Sequence, residues 1–441
     1  MSFRSVRSTD PLTEASRRPR GVDVYLFPAV VGGGLGDIEE VLAGGRRLAR
    51  AGFSLLLYRA RGRPLPREVD GPWDWPPHRR VERLNPTGGA ALTLSPAFGV
   101  SAAPSRPEPF GRGGPWEEEA AEVEALYGTH RTLHVSLEEF ARTLSSIEET
   151  RERFREGGIR SRAIPQHLRQ ARDGREVETY RAAFERFRAF DRPNLVNVFA
   201  TFGPDRRFAR EFPAAVQTGP LWSGLRPSRD RTGPRSTHRE WVWYASPSSA
   251  ERIAPAVWET LARERSTVHL FVRSPRPWES AGTRPGVTVA TDPMSPASWR
   301  GRFRRAELRI VTGSRTLLEA IEVGGPFLYF NGVLGAGARS RRHRPEKIRA
   351  LLASGPGRSL APDVRRDLAD FARGRRVAAV VRRAARRTGG WARFRVSRER
   401  LGFRPPLDDA GAFLVALGWA LGRPGADAVE IVRRVRAGSN P

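Results

Sequence analysis

The sequence predicts an α/β protein with two doubly wound domains that face each other across a cleft, followed by C-terminal helices. In two separate blocks of the chain, a strand-like apolar run leads into a helical pattern and then into another strand-like run. Alternation of this kind is typical of parallel sheets covered by helices. The length of 441 residues also favours more than one domain, because it exceeds what a single core normally accommodates.

The first block starts with the strand-like run VDVYLF at residues 22–27. The loop after it contains four glycines, Gly32, Gly33, Gly34 and Gly36. Apolar residues then recur at helical spacing, and we expect this helix to begin at Ile38. The next run, FSLLLYRA, is apolar throughout, as in parallel strands that are buried on both faces. Together these elements predict a βαβ unit whose glycine loop lets a ligand approach the backbone closely.

The second block begins near TGPLWSG, residues 218–224, which a polar linker follows. From REWVWYAS to PFLYFNG it again alternates strand-like and helical segments. The arginine-rich helical patterns that follow end in GAFLVALGWALG, which is a buried helix by its length. We expect a disordered tail over residues 1–20, a first α/β domain over 21–215, a second α/β domain over 216–400 and helices over 401–441.

The chain is strongly basic, with a formal charge of +28, but Lys347 is its only lysine. Because a basic excess carried by arginine is typical of a biased coding sequence, we do not expect nucleic acid as a partner, although the charge attracts anions. The absence of cysteine excludes disulfides and thiolate chemistry. His130 and His134 lie four residues apart, but the residues between them favour a strand, and we expect no metal site.

The hydropathy pattern gives no sign of a membrane span or a secretory signal. No stretch reaches about 18 uninterrupted apolar residues, the length that a membrane span requires. The N-terminal segment is basic and polar, without the apolar centre of a signal peptide. We therefore expect a cytoplasmic protein, with peripheral contact between its arginines and anionic lipid at the inner face of the membrane.

The segment IVTGSRTLLEAIEVGGPFLYFNG, residues 310–332, carries the clearest functional pattern. A strand ends at Gly313, and Ser314 or Thr316 can cap the helix that follows. The amides at such a helix start bind phosphate. Glu319, which we expect in the first turn at the open edge, can accept hydrogen bonds from ribose hydroxyls. The alternative is an ordinary capped helix in which Glu319 complements the helix dipole.

This segment resembles the donor-binding signature of GT-B glycosyltransferases, in particular the inverting lipid-linked N-acetylglucosaminyltransferases and their UDP-sugar relatives. Five residues match the signature without a gap: Gly313, Thr316, Glu319, Gly324 and Pro326. The resemblance implies that Glu319 holds the nucleotide ribose. It also implies that the helix start binds the donor through Gly313, Ser314, Arg315 and Thr316. The resemblance implies a fold with two Rossmann-like domains. It also implies a reaction without a cofactor, because the nucleotide-diphosphate sugar is the donor substrate.

Two further segments resemble the same family. TGPLWSG, residues 218–224, resembles its interdomain hinge, and GGGLGD resembles its first glycine loop. The family's second glycine loop corresponds to YASPSSAE, where Ser246 and Ser248 replace glycines. We include both serines in the donor site because their hydroxyls can bind a phosphate, although the ligand cannot approach this backbone as closely as it approaches glycine.

The chain also departs from the family after the last strand of the signature. There the family offers acidic or amide side chains to the sugar, whereas this chain has GVLGAGARSRRHRPEK. Such cations suit a diphosphate or an anionic acceptor, and the alternative is a solvated loop. The first glycine loop resembles that of retaining glycogen and starch synthases as well, but the lysine of their loop and one of their paired glutamates are missing. We therefore expect inverting transfer without a metal ion.

Asp37 occupies the place where the lipid-linked family has a histidine, so we expect it to be the base that takes the proton from the acceptor hydroxyl. Its alternative role is to cap the following helix. His130 and His134 are further candidates, because a loop between the domains can bring them into the cleft.

The function that these patterns favour is transfer of a hexosyl or N-acetylhexosaminyl group from a nucleotide sugar to a hydroxyl or phosphate of an unidentified acceptor. A lipid-linked acceptor fits the basic charge of the chain. Two alternatives stay open at this point: a UDP-sugar epimerase of the same fold, and a non-catalytic protein of this fold that binds anionic lipid or polysaccharide.

Overall fold

The protein is described by a computed structural model over residues 21–27, 36–58, 75–86, 89–96, 131–139, 195–204, 206, 215–225, 239–245, 253–272, 278–290, 296–330, 346–386 and 401–436. These residues form one sheet of seven strands and one of five, and neighbouring strands are parallel throughout both sheets. The predicted class is therefore confirmed: the protein is α/β, with two doubly wound Rossmann-like domains and C-terminal helices.

The first sheet consists of β1 (Val22–Leu26), β2 (Ser54–Tyr58), β3 (Arg79–Val81), β4 (Ala90–Pro96), β5 (Thr132–Glu139), β6 (Leu195–Ala200) and β7 (Ala215–Thr218). Its strand order is β3-β2-β1-β4-β5-β6-β7. The order changes direction between β1 and β4, and open α/β sheets bind their ligands at such a switch point. Helix α1 (Gly36–Arg50) is the first helix after β1 and returns the chain to β2.

The start of α1 differs from the prediction. The helix begins at Gly36 and not at Ile38, so Asp37 lies inside the first helical turn and does not hold the N-cap position. The first amides of a helix need no intrahelical partner, so the helix can begin before the first apolar residue of the pattern. The glycines Gly32, Gly33 and Gly34 lie outside the described residues.

The first sheet is buried on both faces, which explains why its strands are apolar throughout. Val24 and Leu26 belong to the core cluster that contains residues of α1, whereas Tyr25 and Phe27 pack in a separate cluster with Tyr58. Since successive side chains of a strand point to opposite faces, the two clusters cover the two sides of the sheet.

The second sheet consists of β8 (Arg239–Ala245), β9 (Ser266–Val272), β10 (Val287–Ala290), β11 (Leu308–Val311) and β12 (Phe327–Tyr329) in the order β10-β9-β8-β11-β12. Its helices are α2 (Ala254–Glu264), α3 (Pro296–Arg305) and α4 (Ser314–Val323). The switch point lies between β8 and β11, and α4 starts there because it follows β11. Helix α4 contacts α1 of the first domain, and we call this region the domain junction.

Six helices complete the described chain: α5 (Glu346–Ala353), α6 (Gly355–Arg358), α7 (Pro362–Ala372), α8 (Val377–Arg386), α9 (Ala410–Leu421) and α10 (Ala428–Arg436). Helix α9 is the buried helix that the sequence predicts. It returns to the first domain, where Phe413 and Leu414 share a core cluster with Val24 of β1. In the described part of the chain, no helix combines the length and the apolar character that crossing a membrane requires.

The chain passes between the domains twice, and the two passages are hydrogen-bonded to each other. The amide of Gly219 donates to the carbonyl of Leu407 (2.6 Å), and the amide of Ala410 donates to the carbonyl of Gly219 (3.1 Å). A Cβ atom at position 219 would overlap the backbone of Asp408, so this approach requires glycine. Gly219 belongs to TGPLWSG, and its location between the two domains agrees with the predicted hinge.

Arg309 of β11 is a fully buried arginine that joins two helices of the second domain. Its Nε donates to the carbonyl of Phe303 (2.7 Å), and its Nη2 donates to that of Arg304 (3.1 Å), both at the C-terminal end of α3. Its Nη1 donates to the carbonyl of Gly324 (3.0 Å), which caps the end of α4. The negative ends of two helix dipoles therefore compensate the buried charge and fix α3 and α4 relative to each other.

We expect Arg309→Met to lower the free energy of unfolding of the second domain by about 3 kcal/mol, because three backbone carbonyls lose their donor, one of them buried and two partly buried. Arg309→Lys keeps the charge but replaces the guanidinium fork with one ammonium group, and it should destabilise the domain by a similar amount. Guanidinium unfolding followed by tryptophan fluorescence measures both variants. A loss below about 1 kcal/mol for Arg309→Met would show that the three hydrogen bonds do not hold the helices.

Candidate functional site

The start of α4 is an open helix end at the carboxyl edge of the second sheet. Gly313 holds the N-cap position, and no side chain in the described chain caps the helix. The expectation that Ser314 or Thr316 caps it is therefore wrong: Ser314 is the first helical residue, and the Thr316 hydroxyl donates back to the carbonyl of Gly313 (3.1 Å). The first amides of α4 keep their hydrogen-bonding capacity, as anion-binding helix starts do.

Glu319 lies deeper than the sequence predicts. We expected it in the first turn at an open edge, but the helix begins at Ser314, so Glu319 falls in the second turn and is only 4% exposed. The indole Nε1 of Trp299, on α3, donates to Glu319 Oε2 (3.1 Å). The carboxyl group is therefore held at the packing surface between α3 and α4, with one of its two oxygens occupied by a protein donor.

Charges from three helices surround Glu319. Burial raises the pKa of its carboxyl group to about 7, and Glu39 of α1 also raises this pKa. Arg315, the Trp299 hydrogen bond and Arg300 oppose that rise, with Arg315 the strongest of the three. Arg300 Nη2 also lies 3.9 Å from Glu39 Oε2, so an ion pair crosses the domain junction beside Glu319. The site is thus built from both domains.

Helix α4 also binds the first passage between the domains. Arg315 is 4% exposed, and its Nη1 donates to the carbonyl of Leu221 (2.7 Å). Glu322 accepts hydrogen bonds from the hydroxyl of Ser223 and from the amide of Gly224 (3.0 Å for the amide). Burial is the main cause that raises the pKa of Glu322.

Three charged residues of α4 share one helix face, because Arg315, Glu319 and Glu322 are spaced four and three residues apart. We call them the α4 charged row. Its two outer members contact the interdomain passage, whereas Glu319 between them contacts α3. The donor helix that the sequence predicts is therefore also the element that joins the domains.

The sequence predicts two groups of donor or acceptor residues that the structure locates only in part. Gly36 and Asp37 lie in the first turn of α1, three and two residues before Glu39. Ser246 and Ser248 lie outside the described residues, as does His130. No cluster of three or more potential metal-ligating side chains occurs in the described ranges.

His134 does not reach the domain junction, so its candidacy as a base there is wrong. It lies within β5 and is completely buried, next to the hydroxyl groups of Thr93 and Ser95, and Ser95 Oγ is 3.2 Å from its Nε2. Burial lowers the pKa of the imidazole to about 3. The strand that the sequence favours here is confirmed, but its position inside the sheet keeps the imidazole away from the cleft: His134 is a neutral core residue bonded to hydroxyl groups.

The structure adds three residues that sequence reasoning missed: Trp299, Glu39 and Glu322. Trp299 precedes Phe303 by four residues on an arginine-rich helix, and this apolar pair was the available signal. Glu322 follows Glu319 by three residues, which places the two on one helix face. Nothing local in the sequence connects Glu39 with Glu319, because they belong to different domains.

Glu319→Gln should change how stability depends on pH. The folded-state pKa of about 7 lies above the ordinary value of 4.5, so the folded state binds the proton more tightly and the wild-type carboxyl group opposes folding as pH rises from 4.5 through 7. We expect the free energy of unfolding of Glu319→Gln, relative to that of the wild type, to increase by about 3 kcal/mol between pH 4.5 and pH 8. Chemical unfolding at several pH values measures it.

Glu259→Gln is the matched control, since Glu259 is an exposed glutamate of α2 in the same domain. The free energy of unfolding of Glu259→Gln, relative to that of the wild type, should not show the increase that we expect for Glu319→Gln over the same pH range. If the Glu319→Gln curve were equally flat, the carboxyl group of Glu319 would have an ordinary pKa and could not be buried as described.

No protein-family model and no curated protein matches the chain. Among solved structures it is similar to WaaG, a glycosyltransferase involved in lipopolysaccharide biosynthesis, with 13% identity, 95% of this chain and 100% of that chain covered, and a TM-score of 0.41. It is also similar to a UDP-glucosyltransferase from Polygonum tinctorium capable of glucosylating indoxyl, with 12% identity, 95% of this chain and 98% of that chain covered, and a TM-score of 0.45. A third similar structure is apo UGT2 of Phytolacca americana, with 10% identity, 95% of this chain and 99% of that chain covered, and a TM-score of 0.46. The fold itself is established by the strand order of the two sheets.

Proposed function

We propose that this protein is a glycosyltransferase that uses a nucleotide-diphosphate sugar, and that the start of α4 and Glu319 bind the nucleotide. The observation that carries the proposal is the position of Glu319: a buried carboxyl group six residues after an uncapped N-cap glycine, at the switch point of a doubly wound sheet. The residues around it match the donor signature at Gly313, Thr316, Glu319, Gly324 and Pro326.

The start of α4 suits the diphosphate of such a donor. Its first amides are not capped by a side chain, and the positive end of the helix dipole lies there. Preorganised dipoles that face a developing charge stabilise the leaving nucleoside diphosphate without reorganisation. This supports transfer without a metal ion, in which the helix start compensates the charge of the leaving group.

Glu319 suits the ribose because an ionised carboxylate only accepts hydrogen bonds and a ribose offers two adjacent hydroxyl donors. Trp299 occupies Oε2, and the described part of the chain provides no hydrogen bond to the other oxygen. Within a buried environment, hydrogen bonds to a carboxylate are stronger than in water. A nucleotide that reaches Glu319 therefore gains more from it than from a surface carboxylate.

Asp37 is our proposal for the general base. It lies in the same first turn of α1 as Glu39, and Glu39 pairs with Arg300 across the domain junction. In an inverting transfer the acceptor oxygen bonds to the anomeric carbon as the bond to the diphosphate oxygen breaks. The leaving diphosphate takes the electron pair, and the base takes the acceptor proton. In this proposal the base belongs to the first domain and the donor binds the second.

The acceptor that we propose is anionic or lipid-linked. The arginine-rich segment after β12 lies outside the described residues, and its cations suit an anionic or lipid-linked acceptor. Contact with anionic lipid at a membrane surface follows from the same charge and belongs to the proposal.

Titration calorimetry with UDP, GDP, ADP and CDP tests the nucleotide site. We expect at least one of them to bind the wild type and to bind Glu319→Ala about tenfold or more weakly, because a charge-assisted hydrogen bond is lost. Glu322→Gln is the matched control on the same helix, since its amide oxygen still accepts from Gly224. Its affinity should stay within about threefold of the wild type.

Two results would contradict the proposal. If none of the four nucleotides binds, the protein is a non-catalytic relative of this fold. If a nucleotide binds but radiolabelled nucleotide sugars are converted to their epimers without release of the nucleotide, the reaction is epimerisation. Release of the nucleoside diphosphate together with transfer or hydrolysis of the sugar supports the transferase.

A further inference from the structure

Trp299 is held in one place by an aromatic cluster of the second domain. Its ring contacts Phe271 edge-on, with ring centroids 4.8 Å apart, and Phe303 at 4.9 Å. Tyr244 of β8 contacts it as well, at 6.2 Å. Contacts from two adjacent strands of the sheet and from its own helix restrict both side-chain torsions, so the indole N–H points in a fixed direction.

The indole N–H points at the carboxyl group of Glu319. The indole N–H is donor only, and it donates to Oε2 of Glu319 at 3.1 Å. A glutamate has three side-chain torsions, and without a partner its carboxyl group would sample several orientations. The hydrogen bond restricts these torsions and leaves the other carboxylate oxygen, Oε1, for another donor. Trp299 therefore fixes the direction in which Glu319 accepts.

We propose that Trp299 is a positioning residue that makes the nucleotide site selective for a ribose over a deoxyribose, by fixing the carboxylate of Glu319 for a pair of adjacent hydroxyls. This inference rests on the proposed function, because it assigns the nucleotide to Glu319. Neither residue alone provides the selectivity: Glu319 supplies the acceptor and Trp299 supplies its orientation.

The charges around the pair determine its pH dependence. Arg315 on α4 and Arg300 on α3 favour the ionised carboxylate, whereas burial and Glu39 on α1 favour the protonated form. The Trp299 hydrogen bond favours the ionised form, so its removal raises the pKa of Glu319 further above its ordinary range. Binding that needs the carboxylate then requires a higher pH.

Trp299→Phe is the direct test, because phenylalanine keeps the aromatic packing and lacks the N–H donor. Affinities for UDP and for 2′-deoxy-UDP are measured by calorimetry from pH 6 to pH 9. At pH 7.5 we expect Trp299→Phe to bind UDP roughly tenfold more weakly than the wild type and 2′-deoxy-UDP within about twofold. The pH midpoint for UDP binding should shift upward. Trp258→Phe, in the same domain but packed on Trp243 away from Glu319, is the control and should match the wild type.

A second readout needs no nucleotide. The pKa of Glu319 follows from comparing the pH dependence of unfolding of each protein with that of its Glu319→Gln counterpart. Trp299→Phe should raise this pKa relative to the wild type, and Trp258→Phe should not.

The outcomes separate the two proposals. Two results would overturn the positioning role and leave the proposed function intact, provided that the wild type binds UDP through Glu319. One is an unchanged pKa of Glu319 in Trp299→Phe, and the other is a Trp299→Phe variant that discriminates between UDP and 2′-deoxy-UDP as well as the wild type does. If UDP binds the wild type but not through Glu319, or if none of UDP, GDP, ADP and CDP binds while the pKa still shifts, the nucleotide assignment fails and the selectivity with it. If another of the four binds best, that nucleotide and its 2′-deoxy form replace UDP and 2′-deoxy-UDP in the test.

Discussion

Compensation of buried charge on α4 is the constraint on which the domain junction depends. The α4 charged row places three ionisable side chains on one helix face, of which Arg315 and Glu319 are buried and Glu322 is half-buried. A buried charge without partners costs on the order of several kcal/mol, so each must be compensated by the protein. The partners are the carbonyl of Leu221 for Arg315, the indole of Trp299 for Glu319, and Ser223 with Gly224 for Glu322.

Those partners lie on different parts of the chain, and this makes one helix responsible for several contacts at once. Two partners belong to the passage between the domains, and the third belongs to α3, which Arg309 fixes against α4. On the other side, Arg47 of α1 binds Asp409 (3.1 Å) and the carbonyl of Trp222 (3.4 Å), so the first domain contacts the same passage. A site at this point is preorganised, because its side chains are fixed by elements from both domains.

The sequence predicted the architecture well and the environment of the site poorly, for physical reasons. Continuous apolar runs such as VDVYLF and FSLLLYRA follow directly from burial of a parallel sheet on two faces, so the strands could be recognised locally. The signature also located Glu319. Its burial could not be recognised, because it depends on Trp299 from another helix and on Glu39 from another domain. The environment of His134 likewise could not be recognised, because the hydroxyl groups of β4 that contact it lie nearby only in the folded sheet.

We propose that the carboxylate of Glu319 binds the ribose of a nucleotide while Trp299 holds that carboxylate in place. A crystal structure with the best-binding nucleoside diphosphate tests this most directly. We predict both ribose hydroxyls within hydrogen-bonding distance of Glu319, about 2.6–3.2 Å, with the indole of Trp299 still bonded to Oε2 and the diphosphate at the first amides of α4. A nucleotide bound elsewhere, or bound here with its ribose turned away from Glu319, would contradict the account.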